Sequence, residues 1–350
     1  MIEHELRATF ARHEELAPPA GPVRAAIDRA VHRRRRRRRV GTAGAALAAI
    51  AVALVGFTVV VPRPPESVRL GALPASPTPS GAVNLLLLGV DQAGANRRAD
   101  SILLVHVPAD RSRLYLVSIP RDLLMPRPGG GEADKLSWTF GRASGETGNL
   151  TAGYRATRQA VDRLTGVPVD AGAVLTYRAT RTLTDSVGGV QVCLPEPVRS
   201  AHTGRRYPVG CQRLDGTEAV DLLRQRYGLR DGALDRDRNA ARYAAGLLRQ
   251  LREQGTATSP VRLSRLISEV APTVTADTGD LSLAALSAVV ASAGGADPLA
   301  LALPVRAREN PTGYGFEPDP VLAPSLLEAL RADRMAGWVT AHPAQVTRLR

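Results

Sequence analysis

The sequence predicts an α/β domain, with helices covering a central sheet, placed after a single transmembrane helix. Three observations predict it. Three short apolar runs open the folded part, and strand-like and helix-like spacings alternate after them. Near the N-terminus, an uncharged apolar stretch follows directly on a run of arginines.

In a chain of 350 residues with 44% hydrophobic content there is enough apolar surface for one large domain or two ordinary ones. The formal charge of +13 is almost all arginine, since Lys135 is the only lysine. It is concentrated at the start, where residues 1–39 hold eleven arginines against five acids, including the run Arg33–Arg39. Val40–Val61 then carries no charge over 22 residues. At about 1.5 Å per residue this crosses the roughly 30 Å hydrocarbon layer. A cleaved signal peptide would have a shorter apolar region and a small-x-small site after it. Arginines abutting a span keep their side cytoplasmic, so residues 1–39 form a cytoplasmic tail and the later residues an extracytoplasmic domain. The charge is therefore assigned to anchoring, and nucleic acid is not expected as a partner. Residues 62–81, rich in Pro, Ser and Ala, form a linker. The folded domain is expected over residues 82–333, with 334–350 as a C-terminal tail.

The runs Val83–Val90, Ser101–Val107 and Arg113–Ile119 have strand length and suit a sheet buried on both faces. The connections between them are too short for a helical crossover, so the pairing is antiparallel. That order gathers Asp91, Arg98, Asp100, Arg121 and Asp122 at one sheet edge. Two carboxylates with arginines at strand ends suit a magnesium ion and a phosphorylated ligand, because carboxylates supply hard oxygen ligands and guanidinium forks bind phosphate oxygens. Surface ion pairs explain the same residues equally well at this stage.

Gly153–Leu164 has helical spacing and ends at Gly166, a C-cap, before strand Val169–Leu175. A helix over Arg178–Ser186 leads through Gly188 and Gly189 into strand Val190–Leu194. Cys193 and Cys211 flank a polar loop, and in an oxidising compartment such a pair is bridged. Closure of that loop contributes roughly 3 kcal/mol. Two free buried thiols are the alternative. After Leu214-Asp215-Gly216 a helix runs to about Leu223. Arg224 and Arg226 share a face only if the chain there is extended; periodicity alone favours solvated helix charges. Further helices are expected from Ser259-Pro260, over Leu281–Ala293 and over Pro320–Ala332, with a strand at Leu299–Leu303.

Other chemistries lack their motifs. No G-x-S-x-G, Walker loop or H-E-x-x-H is present. The six histidines are scattered, and His106, between apolar neighbours on a strand, reads as structural.

The ordered series Asn84-Leu-Leu-Leu-Leu-Gly-Val-Asp91, Arg98-Ala-Asp100-Ser, Ser118-Ile-Pro-Arg-Asp122, Lys135-Leu-Ser, Gly188-Gly-Val, Leu214-Asp-Gly, Arg224-x-Arg226 and Asp235 to Arg238 resembles the LytR-CpsA-Psr family. The resemblance is tight over residues 83–252 and looser to about 333, and the basic tail, anchor and cysteine pair are similar to actinobacterial members. It implies a mixed central sheet in three α-β-α layers. The implied activity is that of a membrane-anchored phosphotransferase. Such an enzyme moves a glycopolymer from a polyprenyl-pyrophosphate carrier onto a peptidoglycan acceptor through a phosphodiester bond. By resemblance, Asp91 and Asp100 hold Mg2+ (or Mn2+), and Arg98, Arg121, Arg224, Arg226 and Arg238 bind the pyrophosphate. Arg121, Asp122 and Asp235 form the catalytic set, with either acid orienting an arginine or accepting the hydroxyl proton. The sequence departs from the family at Arg97-Arg98-Ala99-Asp100, at Ser137 and at Asn239-Ala-Ala-Arg242, which makes Arg236 a second candidate beside Arg238. A pyrophosphatase would use the same groups with water as acceptor, and a lipid-binding regulatory protein would tolerate loss of Asp91.

Overall fold

The computed structural model describes residues 79–349, apart from breaks at 92–96, 128–129, 131, 257–258, 294 and 311–312. The basic tail, the expected transmembrane helix at 40–61 and almost all of the 62–81 linker lie outside the described residues. Among those described, no helix is long and apolar enough to cross a membrane.

Strand β2 (Ala99–Val107) pairs antiparallel with both β1 (Val83–Val90) and β3 (Tyr115–Ser118), as the short connections require. The two-residue strands β4 (Leu124–Met125) and β5 (Asp134–Lys135) pair locally and lead into α1 (Leu136–Ser144) and α2 (Leu150–Thr165). Asn149 caps α2 by accepting from Ala152 N–H, and Gly166 ends it in the left-handed conformation at φ 70°. Strand β6 (Ala171–Thr176) lies parallel to β1, and α3 (Tyr177–Ser186) follows it directly, capped by Thr176.

Strands β7 (Val190–Leu194) and β10 (Gly210–Leu214) form a separate ribbon in which Cys193 and Cys211 are directly opposite and disulfide-bonded. The bridge expected from the sequence is thus present. Between these strands lie the short β8 (Val198–Arg199) and β9 (Arg206–Tyr207). Helix α4 (Gly216–Arg224) begins with a capping box of Asp215 and Glu218. The long α5 (Ala233–Glu253) and then α6 (Pro260–Val270) precede β11 (Val274–Asp277), α7 (Leu283–Ser292) and β12 (Leu299–Ala302). A hairpin of β13 (Val305–Asn310) and β14 (Gly313–Pro318), helices α8 (Leu322–Arg331) and α9 (Met335–Ala341), and β15 (Val346–Thr347) complete the fold.

The main sheet has the order β11-β6-β1-β2-β3-β12-β15 and is mixed, with parallel pairs β1–β6 and β3–β12 among antiparallel ones. Helices cover both faces. Leu85 and Leu87 of β1 point into the core beneath α3 to α7, whereas Leu86, Leu88 and Val90 point into the core beneath α1, α2, α8 and α9. Two-sided burial explains why β1 reads as a continuous apolar run.

The domain extends further than the boundary at 333 drawn from sequence. Residues 334–349 do not stand apart as a tail: Met335 and Trp338 are buried, and β15 pairs with β12 at the sheet edge. Their polar flanks conceal them, since β15 is two residues long and α9 barely two turns. His106 is structural, as read. It is 1% exposed, with Nδ1 2.9 Å from Asn84 Oδ1 and Nε2 2.9 Å from Asp333 Oδ1, tying β2 to the end of α8.

Candidate active site

The upper ends of β1, β2 and β3 meet the start of α5 in a cluster of charged groups. Arg121 follows β3 in a segment whose backbone is fixed on both sides. Ser137 N–H donates to the Arg121 carbonyl at 2.9 Å, and Phe316 N–H to that of Asp122 at 3.0 Å. The Arg121 side chain is 7% exposed. Its Nη1 donates to Asp100 Oδ1, and its Nε lies 3.7 Å from Asp122 Oδ2. Lys135 Nζ holds the other Asp122 oxygen at 3.2 Å. Tyr177, at the start of α3, donates to Asp100 Oδ2 at 3.0 Å.

Two neighbours of this cluster come from the first turn of α5. Arg236, 3% exposed, reaches within 4.0 Å of Asp100 Oδ1 and 3.4 Å of Asp237 Oδ1. Arg238 does not join them. It turns to the other side of the helix, where its Nη1 donates at 2.6 Å to both Asp231 and Asp235. Of the two candidate arginines, Arg236 is therefore the one in the cluster. The reason is helical geometry, because residues two apart diverge by roughly 200° at 3.6 residues per turn. Asp235 is likewise drawn to Arg238 and lies outside the cluster.

Burial dominates the electrostatics. It pushes the Arg121 guanidinium below its ordinary pKa, with nearby Arg236 adding to the effect and Asp100 and Asp122 opposing it. It also pushes Asp237 up to about 7, against the pull of Arg236. The Tyr177 pKa is raised by burial and by the charges of Asp100 and Asp91. The cluster thus sets the basic side chains of Arg121, Arg236 and Lys135 against the acids Asp100, Asp122 and Asp237, with burial favouring the protonated form of Asp237. Buried Nε donors of both Arg121 and Arg236, and Asp237 Oδ2, lack hydrogen-bond partners. Unpaired buried donors are costly, and an anion's oxygens would satisfy the two Nε–H groups.

Further arginines surround the cluster. Arg224 ends α4, and Gln225 after it is extended at φ −67°, ψ 129° and fully buried. Its amide donates to Ser200 Oγ at 2.9 Å and to the Asp221 carbonyl at 2.8 Å, and its carbonyl accepts from Ala201 N–H at 2.8 Å. With Gln225 anchored inward, Arg224 and Arg226 are both exposed, the extended geometry that a paired clamp requires. Arg224 stacks over Tyr177 at 5.2 Å and Arg226 over Tyr227 at 4.6 Å. Arg98 lies over the Trp138 ring at 5.4 Å, with Arg142 over the same ring at 5.6 Å.

An apolar cavity of about 90 Å³ opens beneath Asp100 and Tyr177, between the sheet and helices α3, α4 and α5. Leu87, Leu103, Leu175 and Leu247 line it, and the small side chains of Ala240 and Ala244 leave the space. Sequence periodicity could not separate these leucines from ordinary core. It also missed Tyr177 and Gln225; for Gln225 the only signal was a neutral polar residue between two arginines.

For magnesium the donor set is small. Among the described residues, no group of three or more His, Cys, Asp or Glu could hold a metal ion. Asp91, just after β1, and Asp100, next to the Ala99 that pairs with Val90, offer two hard oxygen donors at adjoining strand ends. Magnesium is held in that manner when substrate phosphates complete its shell, so the residues fit an ion that arrives with a pyrophosphate.

The fold and site define a class in which a buried guanidinium cluster stands over an apolar cavity beneath a mixed sheet edge. The chain belongs to the LytR_cpsA_psr family, whose match spans residues 66–316. It is 34% identical over 201 residues to the cell wall biosynthesis protein LcpA of Corynebacterium glutamicum, covering 53% of this chain and 39% of that protein. It is 28% identical over 149 residues to the polyisoprenyl-teichoic acid–peptidoglycan teichoic acid transferase TagU of Bacillus cereus, covering 42% and 45%. The chain thus spans less than half the length of these curated relatives. Among solved structures, the LytR-Csp2A-Psr enzyme from Actinomyces oris matches with a TM-score of 0.53 and 27% identity over 72% of this chain and 90% of that one. TagT bound to LIIa-WTA shares the fold, with a TM-score of 0.56 at 19% identity, covering 72% of this chain and 91% of that one.

Proposed function

We propose that the chain is a membrane-anchored phosphotransferase that joins a glycopolymer, carried on a polyprenyl pyrophosphate, to peptidoglycan. The observation that carries this reading is the pair of unpartnered, buried Nε donors on Arg121 and Arg236, whose guanidinium groups reach Asp100 at the rim of an apolar cavity. Together they suit an amphiphile with a pyrophosphate head and a hydrocarbon tail. The named activities of its relatives, a cell wall biosynthesis protein and a teichoic acid transferase, agree with it.

In the proposed reaction, an acceptor hydroxyl attacks the phosphorus that bears the polymer. A new oxygen–phosphorus bond forms, the bond from that phosphorus to the bridging oxygen breaks, and polyprenyl phosphate leaves. Arg121 and Arg236 stabilise the charge on the transferring group, and Arg224, Arg226 and Arg98 hold the outer oxygens. Asp122, oriented by Lys135 and Arg121, takes the hydroxyl proton. Asp91 and Asp100 would hold magnesium against the pyrophosphate, where the ion supplies further charge neutralisation when bound. The tail enters the cavity beneath Tyr177. At about 90 Å³ that cavity is smaller than the roughly 150 Å³ space that admits one benzene, so loading requires α3, α4 and α5 to move outward.

The test is turnover of a polyprenyl-pyrophosphate saccharide with magnesium and a peptidoglycan fragment, using Arg121→Ala as control. Release of polyprenyl phosphate with a sugar-phosphate adduct, lost in the variant, supports the proposal. Release without adduct would indicate a pyrophosphatase, and binding without release a regulatory protein.

A further inference from the structure

Helix α5 lines two separate spaces on different faces. Residues 240, 243, 244 and 247 line the apolar cavity, whereas Asp235, Arg238, Asn239 and Arg242 line a separate groove of about 470 Å³. At 3.6 residues per turn the two sets are centred roughly 140° apart around the helix. The groove begins beside the charged cluster, because β12 runs parallel to β3 with Ala302 opposite Ser118, and residues 302–305 line it. Its far wall is residues 344–348, which lie beyond the part of the chain matched to the family.

The chemistry of this groove differs from that of the cluster. Two of its guanidinium groups are held in place: Arg238 by Asp231 and Asp235, and Arg242 by Asn239 Oδ1 at 2.8 Å and by the Arg348 carbonyl at 3.1 Å. Four arginines and three carboxylates line it, so its net charge is close to balanced, and leucine, valine and proline side chains alternate with them. Fixed donors and acceptors between apolar patches suit hydroxyl-bearing sugar rings better than a polyanion.

We infer that this groove binds the acceptor glycan strand, an inference that rests on the proposed transferase reading. In-line displacement sets the attacking and leaving oxygens on opposite sides of the phosphorus. The leaving polyprenyl phosphate belongs to the cavity face of α5, so the acceptor approaches from the other face, where the groove lies. Residues 344–348 then contribute to the choice of acceptor.

The test uses the full chain in detergent micelles, with Ala344→Trp to fill the groove. Ala344 is exposed, so the substitution leaves the core intact. Binding is measured separately for an uncrosslinked peptidoglycan oligosaccharide, a polyprenyl pyrophosphate, and the same lipid carrying its saccharide. The inference predicts that Ala344→Trp weakens oligosaccharide binding by about tenfold or more and leaves both lipids unchanged. Unchanged oligosaccharide affinity overturns it, as does an effect confined to the saccharide-bearing lipid, which would make the groove a donor subsite. Equal loss of all three overturns the separation of the two faces. If the wild-type chain binds neither lipid, the transferase reading itself fails, a result distinct from failure of the groove.

Discussion

Replacing Arg236 with Gln should damage pyrophosphate binding far more than the same change at Arg238. Arg236 is 3% exposed, its Nε is unpartnered, and its guanidinium lies 3.4 Å from Asp237 Oδ1 and 4.0 Å from Asp100 Oδ1. Taking about 4 Å as the separation from a bound phosphate oxygen and an effective dielectric of about 20, one unit charge is worth about 4 kcal/mol. That corresponds to roughly a thousandfold in affinity. Arg238 is paired at 2.6 Å with both Asp231 and Asp235 on the outer face of α5, and its pair with Asp231 is partly exposed to solvent. Its removal should cost pyrophosphate affinity less than about 1 kcal/mol. The assay is calorimetric titration of each variant with a short-chain prenyl pyrophosphate. Circular dichroism and thermal melting confirm folding, and Arg236→Lys is a second, charge-preserving variant. Equal losses for the two glutamine variants, or a larger loss at Arg238, would refute the assignment of Arg236 to the site.

Other consequences follow from the same geometry. Asp237, pushed up to about 7 by burial, holds its proton more tightly in the native state than unfolded. Its contribution is therefore fully present below about pH 4 and lost as pH rises through 7, by up to about 4 kcal/mol. Asp237→Asn should flatten that part of the stability profile in urea titrations; an unchanged slope between pH 4 and 7 would count against it. Ala240→Phe, which fills the apolar cavity, should abolish binding of a long polyprenyl pyrophosphate while inorganic pyrophosphate still binds, as measured by titration with each. Gln225→Ala removes the anchor between Arg224 and Arg226 and should cost roughly 1–3 kcal/mol of stability, read from denaturant melts, together with a raised KM for the lipid substrate. Reducing Cys193–Cys211, which are 18 residues apart, should cost roughly 3 kcal/mol on the loop-entropy account, seen as a lower Tm in reductant.

Much of the sheet was legible in the sequence. The apolar runs at β1, β2 and β3 and their short connections determined antiparallel pairing, and this in turn brought Asp100, Arg121 and Asp122 to one edge. The parts that were not legible have physical reasons. Strand β13 alternates charged and small residues and is exposed over 306–309, and β15 is too short to show a period. Arg236 and Arg238 both fit the motif, and only the phase of α5 separates them. Gln225 carries no pattern of its own, because its importance comes from the buried partners Ser200 and Asp221. Tyr177 reads as an ordinary first residue of a helix until the fold sets it against Asp100.

The central claim is that the polymer-bearing phosphorus passes to a glycan hydroxyl and not to water. It is tested most directly by running the reaction of the full chain in water enriched in oxygen-18, with a polyprenyl-pyrophosphate saccharide and peptidoglycan oligosaccharide, and analysing the products by mass spectrometry. The account predicts a glycan phosphodiester without label, accompanied by polyprenyl monophosphate and absent with Arg121→Ala. A labelled saccharide phosphate with no glycan adduct would contradict it and make the protein a hydrolase.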